Sequence, residues 1–97
     1  MWVRATEVAV VDHGSRVVVL DLSDPRTARP LAMDGPAAAI WHALEWPAST
    51  SEVVDRVAAD FGLPAADVRV DVGSFIDRLA SVGLVRTTER RSDANGG

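Results

Sequence analysis

The sequence predicts an α+β fold in which a three-stranded antiparallel sheet is followed by three helices. Three observations carry this. Valine-rich runs separated by turn-forming residues fill the first third of the chain. After Asp34 the apolar spacing changes to a helical period. Ser49, with Glu52 three residues later, then forms the capping-box pattern that starts a helix.

Residues 7–12 and 16–21 read as two strands, and Asp12-His13-Gly14-Ser15 between them is turn chemistry. The run Val17-Val18-Val19-Leu20 suggests a strand covered on both faces or one central in its sheet. Ser23-Asp24-Pro25 turns the chain. Residues 27–33 then give a third strand with Leu31 and Met33 on one face. Pro30 lies inside it and cannot donate to a ladder, so this strand is expected at an edge.

Gly35-Pro36 opens the first helix, proline being acceptable in a first turn, and Ala37, Ile40, Trp41 and Leu44 follow at helical spacing. Trp46-Pro47 is expected to end it. The second helix starts at Ser49, carries Val53, Val54, Val57, Ala58 and Phe61 as its apolar stripe, and stops at Gly62. Pro64 opens the third helix, with Val68, Val72, Phe75, Ile76, Leu79 and Val82 as its stripe and Gly83 as terminator. Trp41, Phe61, Phe75 and Leu79 are expected to be buried together where the helices meet. Trp46 is expected to pack over a helix end, and the pattern does not place Trp2. Residues 1–88 make the domain, and 89–97 are expected to form a disordered polar tail.

Ninety-seven residues suit one domain with a modest core. Without cysteine there is no disulfide framework, thiolate nucleophile or cysteine-ligated metal. No stretch approaches the roughly 18 consecutive apolar residues of a membrane span. The first residues are interrupted by Arg4 and Glu7 and do not read as a signal peptide, so a cytoplasmic location is expected. The net charge of −4 argues against nucleic acid as the main partner, because phosphate binding relies on clustered basic residues. All ten basic residues are arginine, and they are scattered.

Catalytic patterns are missing. His13 and His42 have no second ligand at metal-site spacing and read as solvated or packed side chains. Asp12, His13 and Ser15 share one turn, whereas a triad assembles from distant segments. No glycine-rich phosphate loop is present. Acidic pairs such as Asp67 and Asp71 read as a solvated helix face. The expectation is a binding protein without enzymatic activity, metal or cofactor.

Met33-Asp34-Gly35, Ile40-Trp41 and Ser49-Thr50-Ser51-Glu52-Val53-Val54 resemble the PqqD family. So do Asp71-Val72, Phe75, Leu79 and Gly83-Leu84-Val85, in the same order and at similar spacing. With the preceding hairpin, the resemblance extends over most of the chain. Leu63 stands where that family often has a capping Asp or Ser, and Met33 where it usually has Leu.

The resemblance implies a recognition element for ribosomally synthesised, post-translationally modified peptides, with a winged-helix-like arrangement. Such modules bind the leader segment of a precursor peptide and deliver it to maturation enzymes. A short, free-standing version looks most like the recognition proteins of lasso-peptide pathways, whose partners are a leader peptidase and a macrocyclase. A pathway of the PQQ or radical-SAM type is the other possibility.

The residues support peptide binding in their own right. A three-stranded sheet leaves two unpaired edges, to which an extended peptide can add a strand. The expected docking edge is the third strand, and the third helix forms the other wall of a groove. The candidate peptide-binding residues are Ala28, Arg29, Pro30, Leu31, Ala32 and Met33 on the strand. Asp67, Val68, Asp71, Val72 and Phe75 are the candidates on the helix. Asp67, Asp71, Ser74 and Arg78 form a polar flank that reads either as a groove rim or as solvated surface. Two rival readings stand beside this one. A winged helix can bind DNA, but Asp67, Asp71 and Asp77 on its third helix oppose base readout. A purely structural subunit of an enzyme complex would need no groove.

Overall fold

The computed structural model describes residues 1–23, 26 and 29–88. Thr27 and Ala28, at the expected start of the third strand, and the expected tail at 89–97 lie outside the described residues. In chain order the elements are β1 (Trp2–Arg4), β2 (Val8–Asp12), β3 (Arg16–Asp21), β4 (Pro30–Asp34), α1 (Pro36–Ala43), α2 (Thr50–Phe61), α3 (Ala65–Ser81) and β5 (Val85–Thr87).

The β2–β3 hairpin forms where the turn residues predict it. The Gly14 amide donates to Asp12 Oδ1 at 2.8 Å, the His13 amide donates to the Arg16 carbonyl at 2.8 Å, and Gly14 takes the left-handed φ of 82°. β2, β3 and β4 pair antiparallel in that order, so β3 is central and β4 is an edge. Val17 opposes Met33 and Val19 opposes Leu31 across β3–β4. These four side chains share the face that packs on the helices: Val17, Val19 and Met33 are buried and Leu31 is half-buried. Val18 and Leu20, on the other face, are half-buried. The valine run therefore marks a central strand covered by helices on one side.

α1 lies between the sheet and the other two helices. Ala38, Ile40 and Trp41 are its buried residues, and they continue the core of Val17, Val19 and Met33. The capping box at the start of α2 is complete: the Glu52 amide donates to Ser49 Oγ at 3.1 Å and the Ser49 amide to Glu52 Oε1 at 2.8 Å. Gly62 closes α2 in the left-handed conformation. α3 buries Val68, Val72, Ile76 and Leu79. Each such aliphatic side chain contributes about 1.5–3 kcal/mol on burial.

Four expectations need correction. Helix α1 ends at Ala43, where the Leu44 amide turns back to the Trp41 carbonyl, rather than at Trp46-Pro47. Trp46 therefore sits in the following loop, 75% exposed, and packs over no helix end. Phe61 is the last residue of α2 and projects past the end of the bundle, 43% exposed, while Phe75 is only half-buried. Val82 follows the last helical residue of α3, and its non-helical backbone carries it out of the stripe to 51% exposure. The aromatic centre of the core is Trp41 alone, which is fully buried.

A second sheet, not expected from the sequence, pairs β1 antiparallel with β5, Val3 opposite Arg86. It also places Trp2. The Trp2 amide and carbonyl bridge to Ala48, and its indole Nε1 donates to Thr50 Oγ1 at 2.9 Å. Arg4 on the same strand lies with its guanidinium 4.3 Å from the centre of the Trp41 ring and donates to the Trp41 carbonyl. Burial pulls the Arg4 pKa down, against the opposing pull of Glu45 and Asp12.

Candidate functional site

The outward edge of β4 is set by the alternation of an antiparallel ladder. The Gly35 amide donates inward to the Ser15 carbonyl at 3.0 Å. Successive residues face opposite sides, so Met33 and Leu31 also face β3, while Asp34, Ala32 and Pro30 present their main-chain groups outward. The proline ring therefore sits where its missing N–H costs the sheet nothing. The same alternation applies to β2, the other edge. The His13 amide bonds to the Arg16 carbonyl and the Leu22 amide to the Glu7 carbonyl, which leaves Val8, Val10 and Asp12 facing outward.

Beside the start of β4 lies an open cleft of about 320 Å³, lined by Asp21, Arg29, Pro30, Leu31, Arg78, Val82 and Leu84. It joins three of the expected strand residues, Arg29, Pro30 and Leu31, to the C-terminal end of α3. The expected helix residues lie outside it. Asp67 and Asp71 are exposed on α3, Phe75 is half-buried, and Val68 and Val72 are taken up by the core. On the strand, Ala32 is exposed and Met33 is buried, and Ala28 is outside the described residues. Sequence reasoning missed Asp21, Val82 and Leu84 as cleft residues and placed Arg78 only on a helix flank. The available signal was the helix stop at Gly83, which puts Val82 and Leu84 just past the end of α3.

The charges of the cleft are unequal in availability. Asp21 Oδ1 already accepts the Ser23 amide at 2.9 Å and the Ser23 hydroxyl at 2.7 Å, and these bonds hold its carboxyl below the usual carboxylate range. The Arg29 and Arg78 guanidiniums have no ion pair among the described residues. Away from the cleft, His42 Nε2 lies 2.8 Å from Asp12 Oδ2 and ties the hairpin turn to α1. The Gly14 amide, and then the bond to His42, lower the Asp12 pKa. No group of three or more His, Cys, Asp or Glu side chains is placed to hold a metal among the described residues. No described helix is long and apolar enough to cross a membrane.

The arrangement offers an unpaired main-chain edge beside a partly apolar hollow. The family model for coenzyme PQQ synthesis protein D, PqqD, matches residues 16–85, which span all three helices and the β3–β4 pair. The chain belongs to the PqqD family. No curated protein matches it significantly. Among solved structures, TbiB1 in complex with the TbiA(beta) leader peptide has the same fold as this PqqD-family chain. The TM-score is 0.76 and the identity 24%, over 90% of this chain and 98% of that one. The β1–β5 pair reaches beyond the segment that the PqqD model matches, since β1 precedes it and β5 begins at its last residue.

Proposed function

We propose that this PqqD-family chain binds the leader segment of a ribosomally synthesised precursor peptide. The peptide adds as an antiparallel strand to β4 and is delivered to a leader peptidase and a macrocyclase of a lasso-peptide pathway. The observation that carries the reading is the outward edge of Pro30, Ala32 and Asp34 beside the cleft against α3. Main-chain groups on such an edge supply affinity, and the neighbouring hollow supplies side-chain selection. The leader peptide in complex with the similarly folded TbiB1 supports the same ligand class. In this reading the peptide runs from Arg29 past Ala32, with exposed Asp67 and Asp71 and half-buried Phe75 as the further wall along α3. The protein acts by presentation, without a cofactor and without chemistry of its own, in the cytoplasm.

The test is a calorimetric titration with synthetic leader peptides of lasso-peptide precursors, paired with a duplex-DNA titration at low salt. Saturable leader binding and no tight duplex binding are expected. Tight, salt-dependent duplex binding without leader affinity would replace the proposal with a DNA-binding one. The exposed Asp67, Asp71 and Asp77 beside Arg69 and Arg78 on α3 make that outcome unexpected.

A further inference from the structure

The cleft beside β4 has a charge pattern opposite to that of the whole molecule. The chain carries a net charge of −4, yet Arg29 and Arg78, neither of them ion-paired among the described residues, both line one hollow of about 320 Å³. The one carboxylate among the described residues that line the same hollow, Asp21, stays ionised and accepts the amide and hydroxyl of Ser23 on Oδ1. The rest of the lining is apolar: Pro30, Leu31, Val82 and Leu84. Val82 is half exposed, and Leu31 is only half-buried, so the sheet and helix sides each leave apolar surface facing the hollow. Such a site pairs an apolar seat with two guanidiniums against a single carboxylate, a local excess of positive charge. In water those guanidiniums are well solvated, but a ligand that shields them strengthens their pull on a carboxylate.

A strand added to β4 sends alternate side chains toward the helices, two residues apart and about 6.6–6.8 Å along the strand. We infer that the cleft selects a leader segment with a bulky apolar residue and, two positions from it, an Asp or Glu. The apolar side chain fills the space between Leu31 and Val82, and the carboxylate accepts hydrogen bonds from Arg29 and Arg78. This rests on strand addition at β4 and adds the sequence feature that the edge alone cannot read, because main-chain bonds are blind to side chains. It also sets a polarity for recognition: a net-acidic protein repels an acidic peptide at long range, so only a segment that reaches the cleft meets a favourable field.

The probe is a displayed library of randomised peptides about 12 residues long, selected on the intact protein and on its Arg29→Glu/Arg78→Glu variant. On the unaltered protein, enrichment of Asp or Glu two positions from Leu, Ile, Phe or Tyr is expected. Arg78→Glu should weaken the best such peptide on the order of tenfold, and replacing its acidic residue by Lys should restore binding to the charge-reversed protein. Arg78→Gln serves the same comparison if the reversal disturbs folding. Enriched peptides without an acidic preference, or equal affinity for the Arg78 variants, overturn the charge selection and leave strand addition intact. Failure to enrich any peptide overturns both.

Discussion

Proline at position 32 separates the two sides of β4 in one experiment. The inward bond from the Gly35 amide to Ser15, 3.0 Å long, fixes the alternation, so the Ala32 amide points away from β3 and serves nothing within the sheet. Ala32→Pro removes that donor, as Pro30 already does two residues earlier, and should leave the melting temperature nearly unchanged. A bound peptide loses one main-chain hydrogen bond, about 0.5–1.5 kcal/mol, which is roughly a 2- to 13-fold rise in Kd. Leu31→Pro is the matched control. Its amide faces Val19 inside the ladder, and its side chain is half-buried. Stranding the opposed carbonyl costs about 1–3 kcal/mol before the lost packing is counted, so this variant should unfold at clearly lower temperature. Thermal melts and calorimetric titration with the cognate leader read both effects. If Ala32→Pro binds with full affinity, or melts as low as Leu31→Pro, the assignment of the outward edge is wrong.

Three further outcomes follow from the packing and the charges. Leu79→Ala removes a fully buried side chain and should cost about 2–5 kcal/mol, whereas Phe61→Ala at the exposed end of α2 should cost much less; denaturant midpoints that rank them in reverse would refute the core described above. Ser49→Ala removes the acceptor for the Glu52 amide and should destabilise by about 1 kcal/mol in the same assay. Asp12 has its pKa lowered by Gly14 and His42, so its contribution is present above the unfolded carboxylate value of about 3.9 and lost as pH falls through the folded value. Asp12→Asn should therefore melt lower than the unaltered protein near neutrality, and the two curves should converge at the acid end.

Much of this fold can be read from local signals. Asp12-His13-Gly14-Ser15 specifies its own turn, Ser49 and Glu52 satisfy each other across one helical turn, and Pro30 announces an edge by the donor it lacks. Each of these acts within a few residues, so no tertiary information is needed. β1 and β5 are different. Three-residue strands carry too little alternation to show a period, and they exist only because Trp2 and Thr87, at opposite ends of the domain, are brought together. The cleft was half legible for a similar reason. Arg29, Pro30 and Leu31 follow from the edge strand, but Val82 continues the spacing of α3 and reads as core until the helix is known to end at Ser81. Val68 and Val72 show the converse: their stripe is real, and it is buried in the core.

The central claim is that a leader peptide pairs with β4, and amide hydrogen exchange at the two sheet edges tests it directly. In the free protein, the outward amides of Ala32 and Asp34 on β4 should exchange readily, as should those of Val8, Val10 and Asp12 on β2. With saturating cognate leader, Ala32 and Asp34 should become protected while the β2 amides exchange as before. Protection that appears on Val8, Val10 and Asp12 instead, or binding that protects neither edge, would contradict strand addition at β4.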